Sequence, residues 1–251
     1  MTAQTIKSLL DHLTVPTSEA QVEAWLDDLP NPHGGPHVVS FINAHAVNMA
    51  DENAAFHEAL LGSDVLLRDG SGVKAMMKLT ERDPGLNMCG TDLIPRIIER
   101  YSKGTTRRRI AVLTSSEPWN EKGAQIIREG GGDVVLVMDG WQDPQAYVDA
   151  LKATPADLVI LGMGMPKQEQ VSMALKNALT HDCVIINGGA VIDFMAGKVA
   201  RAPEAWRKAG LEWAYRLKEE PKRMFGRYVI GNTVFLGRAI NLKLKTQEGD
   251  V

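Results

Sequence analysis

The chain has 251 residues, 44% hydrophobic and 24% charged, with a formal net charge of −3. That composition excludes a disordered or fibrous chain, and the length suits one large α/β domain or a domain plus an appendage, with no need of staples. The small net charge hides an asymmetry: residues 198–245 carry 12 basic and four acidic side chains, net +8, while the remainder carries 16 basic and 27 acidic, net −11.

No run reaches 18 uncharged apolar residues, so no transmembrane helix is expected. Lys7, Asp11 and His12 interrupt the first apolar stretch, which does not read as a secretory signal. Cys89 and Cys183 lie in apolar surroundings without metal-ligand spacing and read as buried thiols of a reducing cytosol.

In chain order, helical spacing of Ile6, Leu9, Leu10 and Leu13 predicts a first helix, and a second follows over 20–29. Residues 31–36 are a turn-rich break. A buried strand at 37–42 then precedes Asn43 and a helix over 44–61. The run Val65-Leu66-Leu67-Arg68-Asp69-Gly70-Ser71-Gly72-Val73 is a strand, an acid and a glycine turn opening a helix to 79. A short strand is expected at 86–89 and a helix at 91–101. Strands at 109–114, 133–138, 157–162 and 183–187 alternate with helices at 120–129, 144–153 and 168–179. Near-continuous apolar strands alternating with helices predict an α/β, Rossmann-like, mostly parallel sheet with helices on both faces. A basic helical segment follows it, giving a core over 1–197 and an appendage over 198–251.

A strand ending on Asp69 places that carboxylate at the carboxyl edge of the sheet, where open α/β sheets bind ligands. Asp69 is therefore a candidate reacting acid; the competing reading is a cap for the next helix. Other strand ends carry Asn43, Gly90-Thr91-Asp92, Ser115-Ser116-Glu117-Pro118, the Gly162–Glu169 loop and Asn187-Gly188-Gly189-Ala190. Glycines there let backbone amides approach a phosphate, which suits a nucleotide or nucleotide-sugar. A dinucleotide fingerprint is missing, because Gly162 and Gly164 are followed by Lys167.

Gly162-Met163-Gly164-Met165-Pro166-Lys167-Gln168-Glu169, Asn187-Gly188-Gly189-Ala190 and Asp193-Phe194-Met195-Ala196-Gly197 carry a resemblance. So do Arg201-Ala202-Pro203, Gly210-Leu211-Glu212-Trp213-Ala214-Tyr215-Arg216-Leu217, Glu220-Pro221 and Arg223. Together they resemble the WecG/TagA/CpsF family of bacterial glycosyltransferases, with Asn43, Asp69–Gly72 and Gly90–Asp92 where that family has its earlier motifs. The likeness covers about residues 37–240.

The resemblance implies a metal-independent, inverting transfer from a UDP-sugar to a polyprenyl-diphosphate-linked acceptor in cell-surface polysaccharide synthesis (teichoic acid, common antigen, capsule or exopolysaccharide). It implies no cofactor, a cytoplasmic protein docked on the inner leaflet through its appendage, and possible self-association. Asp69 would be the general base, with Asn43 and Gln168 holding donor or acceptor. Gly70, Gly72, Gly90, Thr91, Asp92, Gly164, Lys167 and Glu169 complete the expected substrate contacts, and His45 is a further polar candidate.

An inverting displacement also needs positive charge on the departing diphosphate. No Asp-x-Asp pair offers a metal site, so the basic tail must supply it. Arginine pairs bidentately with phosphate, and the resemblance favours Arg216, Arg223 and Arg227. The net positive tail suggests an anionic partner: nucleic acid, anionic lipid or a phosphate-bearing ligand. Trp206, Gly210, Trp213 and Leu217 at helical spacing, and Phe225, Tyr228, Val229, Val234, Phe235 and Leu236 interleaved with basic residues, suit an interfacial helix on anionic lipid. With a lipid-linked acceptor implied, lipid is the expected surface and nucleic acid is not.

Three positions depart from the family pattern. Phe41 stands where a threonine is usual, Asn87 where an arginine is frequent, and Thr114-Ser115-Ser116-Glu117-Pro118-Trp119 replaces a glycine-rich loop. The runner-up reading is a non-catalytic nucleotide-sugar-binding component of a membrane-associated polysaccharide-assembly complex.

Overall fold

The computed structural model describes residues 2–103 and 106–249. Helix α1 (Thr2–Asp11) leads into strand β1 (Leu13–Thr14), α2 (Glu19–Asp28) and β2 (Pro36–Ile42). Then come α3 (Ala44–Glu52), α4 (Ala54–Leu61), β3 (Val65–Arg68), α5 (Ser71–Leu79) and α6 (Gly90–Lys103). Strands β4 (Arg109–Thr114), β5 (Asp133–Asp139) and β6 (Leu158–Gly162) alternate with α7 (Trp119–Glu129), α8 (Pro144–Ala153) and α9 (Lys167–Ala178). After β7 (Cys183–Asn187) only helices remain: α10 (Val191–Met195), α11 (Glu204–Lys208), α12 (Glu212–Glu219), α13 (Pro221–Phe225), a π-helical turn (Gly226–Ile230) and α14 (Gly231–Glu248).

The sheet has seven strands in the order β1-β3-β2-β7-β6-β4-β5, and every pairing is parallel. Alternate residues of a strand face opposite layers. Val39, Val112 and Ile160 pack with residues of α2, α6 and α7, whereas Val38, Ala111 and Val159 pack with residues of α8 and α9. Both faces are covered, which is why the strands read as continuous apolar runs. Both cysteines are buried free thiols.

Four expectations change. The helix over 44–61 is two helices, because the Asn53 side chain accepts from Phe56 N–H at 3.0 Å and starts α4 afresh. Leu13 begins a two-residue edge strand and does not extend the first helix. Residues 86–89 form no strand. The carbonyls of Pro84 and Leu86 turn inward to accept from the buried Arg68 guanidinium at 2.9 and 2.7 Å, and so are lost to a ladder. Gly210 is not on a helix face with Trp206 and Trp213: it breaks the chain between α11 and α12 with φ +72, a left-handed conformation that glycine adopts without strain.

The last helix is seated on the core. Phe235, Ala239 and Leu242 of α14 are buried in one cluster with Ile6, Val47 and Val73. Arg238 adds an ion pair to Asp51 at 2.7 Å, both side chains about nine-tenths buried, and Asn48 Nδ2 donates to the Gly231 carbonyl at 2.7 Å. The segment between, α12 to the π-helical turn, buries only Met224. No described helix is long and apolar enough to cross a membrane.

Candidate active site

The chain leaves β4 for β5 in one direction along the sheet and leaves β6 for β7 in the other. The crevice at the carboxyl ends of β6 and β4 is therefore a topological switch point, where such sheets hold ligands. A cleft of about 700 Å³ opens there and runs across β7 to the ends of β2 and β3, roofed by α12, α13 and the π-helical turn.

The register Ile42↔Arg68 makes Asn43 and Asp69 neighbours at one end of this cleft. Asn43 Oδ1 accepts from the amides of His45 and Ala46, fixing the start of α3. Asp69 does not cap α5. Gly70 holds the cap position with φ +86 and no side-chain bond, so the Asp69 carboxyl is left for other chemistry. Asn87 Oδ1 accepts from Gly70 N–H and from Arg68 Nη1, both at 3.2 Å, and so shapes the Asp69–Gly70 turn.

Burial pushes the Asp69 carboxyl up to about 6. The Cys89 thiol, donating to it, and the Arg227 and Arg68 charges pull it down, while Glu212 of α12 adds to the rise. The base candidate is thus set by groups from β3, the α6 approach and the tail. His45, also lining the cleft, is held neutral: burial and the Arg227 charge lower it to about 4.

The tail contributes the cations. Arg216, Arg223 and Arg227 line the same cleft as Asp69, and the Arg227 charge reaches that carboxyl. The Arg216 guanidinium lies 5.6 Å from the Phe194 ring centre and that of Arg227 5.5 Å from Tyr228. The Nε of each is buried without a hydrogen-bond partner, as is that of Arg201, which pairs with Asp92. Arg223 instead pairs with Glu220 at 2.6 Å.

Of the remaining expected residues, Gly90, Thr91, Gly164 and Gln168 line the cleft, whereas Gly70, Gly72, Asp92, Lys167 and Glu169 do not. A side chain at Gly72 would meet the Ala44 Cβ at 3.1 Å, so this glycine lets α5 approach α3. Asp92 accepts from Arg201 at 2.6 Å and holds the start of the tail on α6. Lys167 Nζ donates to the Gln142 carbonyl at 2.7 Å. Glu169 is fully buried and pushed up to about 7 by burial, against the hydrogen bond it accepts from Gln168.

The glycine amides behave differently from the expectation. Gly188 N–H donates to the Leu161 carbonyl at 2.7 Å and Gly189 N–H to Gln168 Oε1 at 3.0 Å, so neither is free for a phosphate. Phe41 lines the cleft, and a side chain at Gly90 would touch its ring. Ser115, Trp141, Asp193 and Lys198 also line it. Trp141 is 77% exposed. Neither Trp141 nor Lys198 belongs to a ligand-contact motif in the sequence; each follows a loop glycine, Gly140 and Gly197, which is its one sequence signal. Among the described residues no group of three or more metal-ligating side chains converges.

A family model described as Glycosyl transferase WecG/TagA/CpsF family matches residues 5–249.

Proposed function

The chain belongs to the WecG/TagA/CpsF family of glycosyltransferases, and on that premise we propose that it is a metal-independent, inverting hexosyl- or N-acetylhexosaminyltransferase. Its donor is a UDP-sugar and its acceptor a polyprenyl-diphosphate-linked sugar of cell-surface polysaccharide synthesis, met at the inner face of the cell membrane. The observation that carries this reading is one carboxylate of raised proton affinity lining the same cleft as Arg216, Arg223 and Arg227.

In this reading Asp69 takes the proton from the acceptor hydroxyl as that oxygen attacks the anomeric carbon. UDP leaves from the opposite face, so a single displacement inverts the configuration. Arg216 and Arg227, with Arg223 once released from Glu220, neutralise the departing diphosphate. Residues 1–197 supply donor site and base; the tail supplies cations and a lipid-facing surface. No second reading has an observation of its own.

Asp69→Asn tests it. Loss of a positioned base costs about 10²–10⁴-fold in turnover, and we expect that loss with UDP affinity retained. Turnover at the parent rate would remove Asp69 from the chemistry; a parent chain that binds UDP but transfers no sugar would instead be a nucleotide-sugar-binding component.

A further inference from the structure

One cation in the cleft plays no part in the mechanism above. Lys198 follows α10 and the Gly197 turn, where φ is +76. From there its ammonium reaches back over the switch-point crevice. It donates to Ser115 Oγ, just past β4, and to Asp193 Oδ2 of α10 at 3.3 Å. All three side chains line the cleft, and the lysine side chain is 34% exposed.

The floor beneath it is Gly162, the Thr114 side chain and the Gly189 carbonyl. A side chain at Gly162 would come within 2.1 Å of Thr114 Oγ1 and 2.9 Å of the Gly189 carbonyl, so this glycine lets the ends of β6 and β4 and the loop after β7 pack closely under the lysine. The amides of Gly188 and Gly189 are already engaged within the protein. An anion above those two amides gains no hydrogen bond from either, which favours a charged side chain as its partner. An ammonium has three donors and no fixed geometry; two are engaged here and the third is left for the cleft. The serine hydroxyl is a neutral partner that a phosphate oxygen outcompetes, because bonds between two charged groups are the stronger ones.

We propose that Lys198, the first residue of the appendage, binds the diphosphate of the donor nucleotide at the ends of β4 and β6, exchanging its Ser115 contact for a phosphate oxygen. The proposal rests on the nucleotide-sugar reading above. It divides the cations in two: Lys198 holds the donor before transfer, and the tail arginines act on the charge that develops as UDP leaves. Ser115, in the loop where the family pattern has glycine, is then a parking position for the lysine.

Calorimetric titration of the full chain with UDP and with uridine separates the outcomes. For Lys198→Gln we expect UDP binding to weaken about 10–100-fold, as for loss of one charged hydrogen bond, with uridine binding unchanged. Lys198→Arg should stay near the parent, and Ser115→Ala should bind UDP at least as tightly as the parent. Equal weakening of UDP and uridine in Lys198→Gln, unchanged UDP binding, or a loss in Ser115→Ala matching that in Lys198→Gln would each overturn the proposal. A parent that prefers another nucleoside diphosphate would remove the uridine assignment alone, since the lysine is tested equally on that diphosphate. A parent that binds none would remove both.

Discussion

Burial raises the proton affinity of Asp69; the Cys89 thiol draws it back, Glu212 adds to it, and Arg227 and Arg68 oppose. A base of pKa about 6 is ionised at neutral pH and lost in acid. The kcat/KM profile should therefore show an acid limb near pH 6, falling about tenfold per pH unit below it. Cys89→Ala removes a hydrogen bond to the charged form and should move that limb upward; a limb that stays put removes the thiol from the base's environment. The same shift has a stability sign. The folded carboxyl binds its proton more tightly than the unfolded one, so its stability contribution is full below about pH 4 and is lost as pH rises through about 6. Asp69→Asn should raise the Tm at pH 8, by up to about 3 kcal/mol in stability, and much less at pH 4.5. Thermal melts at the two pH values decide it. Asp69 itself was legible because an apolar run, an acid and a glycine turn are contiguous. Cys89, Glu212 and Arg227 were not legible as its neighbours, because only the fold brings positions 69, 89, 212 and 227 together.

Elements that make their own bonds were readable, and those that depend on a distant side chain were not. Apolar runs at 109–114 and 157–162 became β4 and β6 because both sheet faces are covered. The stretch at 86–89 has the composition of a strand, but Arg68, 2% exposed, claims its neighbouring carbonyls. The basic tail was readable as helical and charged; that its last helix is seated on α3 was not. Arg238 is the reason: on the sequence it is one more basic residue, whereas in the fold it pairs with Asp51 at 2.7 Å and with Asn48 at 2.8 Å. Removing one partner of a buried pair leaves the other charge uncompensated. Arg238→Met should cost about 3 kcal/mol of stability, measured by denaturant unfolding, whereas Arg223→Met, exposed and paired locally with Glu220, should cost little. An equal, small loss in both would mean that α14 is held by its apolar face alone.

At the scale of the whole molecule, the cleft lies between an acidic body and a basic tail, and the tail exposes large apolar side chains among its charged ones. Phe225 is 55% exposed, Ile230 58%, Leu236 58%, Ile240 48% and Leu244 52%, although α14 buries Phe235, Ala239 and Leu242. A helix with apolar side chains both in the core and facing outward, in a tail that also carries Lys218, Lys222 and Lys243, suits the surface of an anionic bilayer. Docking by that surface would bring the arginine-lined side of the cleft toward a lipid-linked diphosphate. Truncating the tail would not test this cleanly, because it would uncover the core that α14 covers. Phe225→Ser with Ile230→Ser changes only exposed side chains, so the Tm should hold. We expect flotation with anionic vesicles to fall several-fold and to weaken further with added salt, since each basic residue near the surface contributes about 1 kcal/mol that salt screens. Turnover on an acceptor embedded in those vesicles should fall with it, while turnover on a short, water-soluble acceptor should persist. If the double variant floats as the parent does, the tail's exposed apolar face is not the docking surface; if both acceptors lose turnover equally, that face serves the cleft and not the membrane.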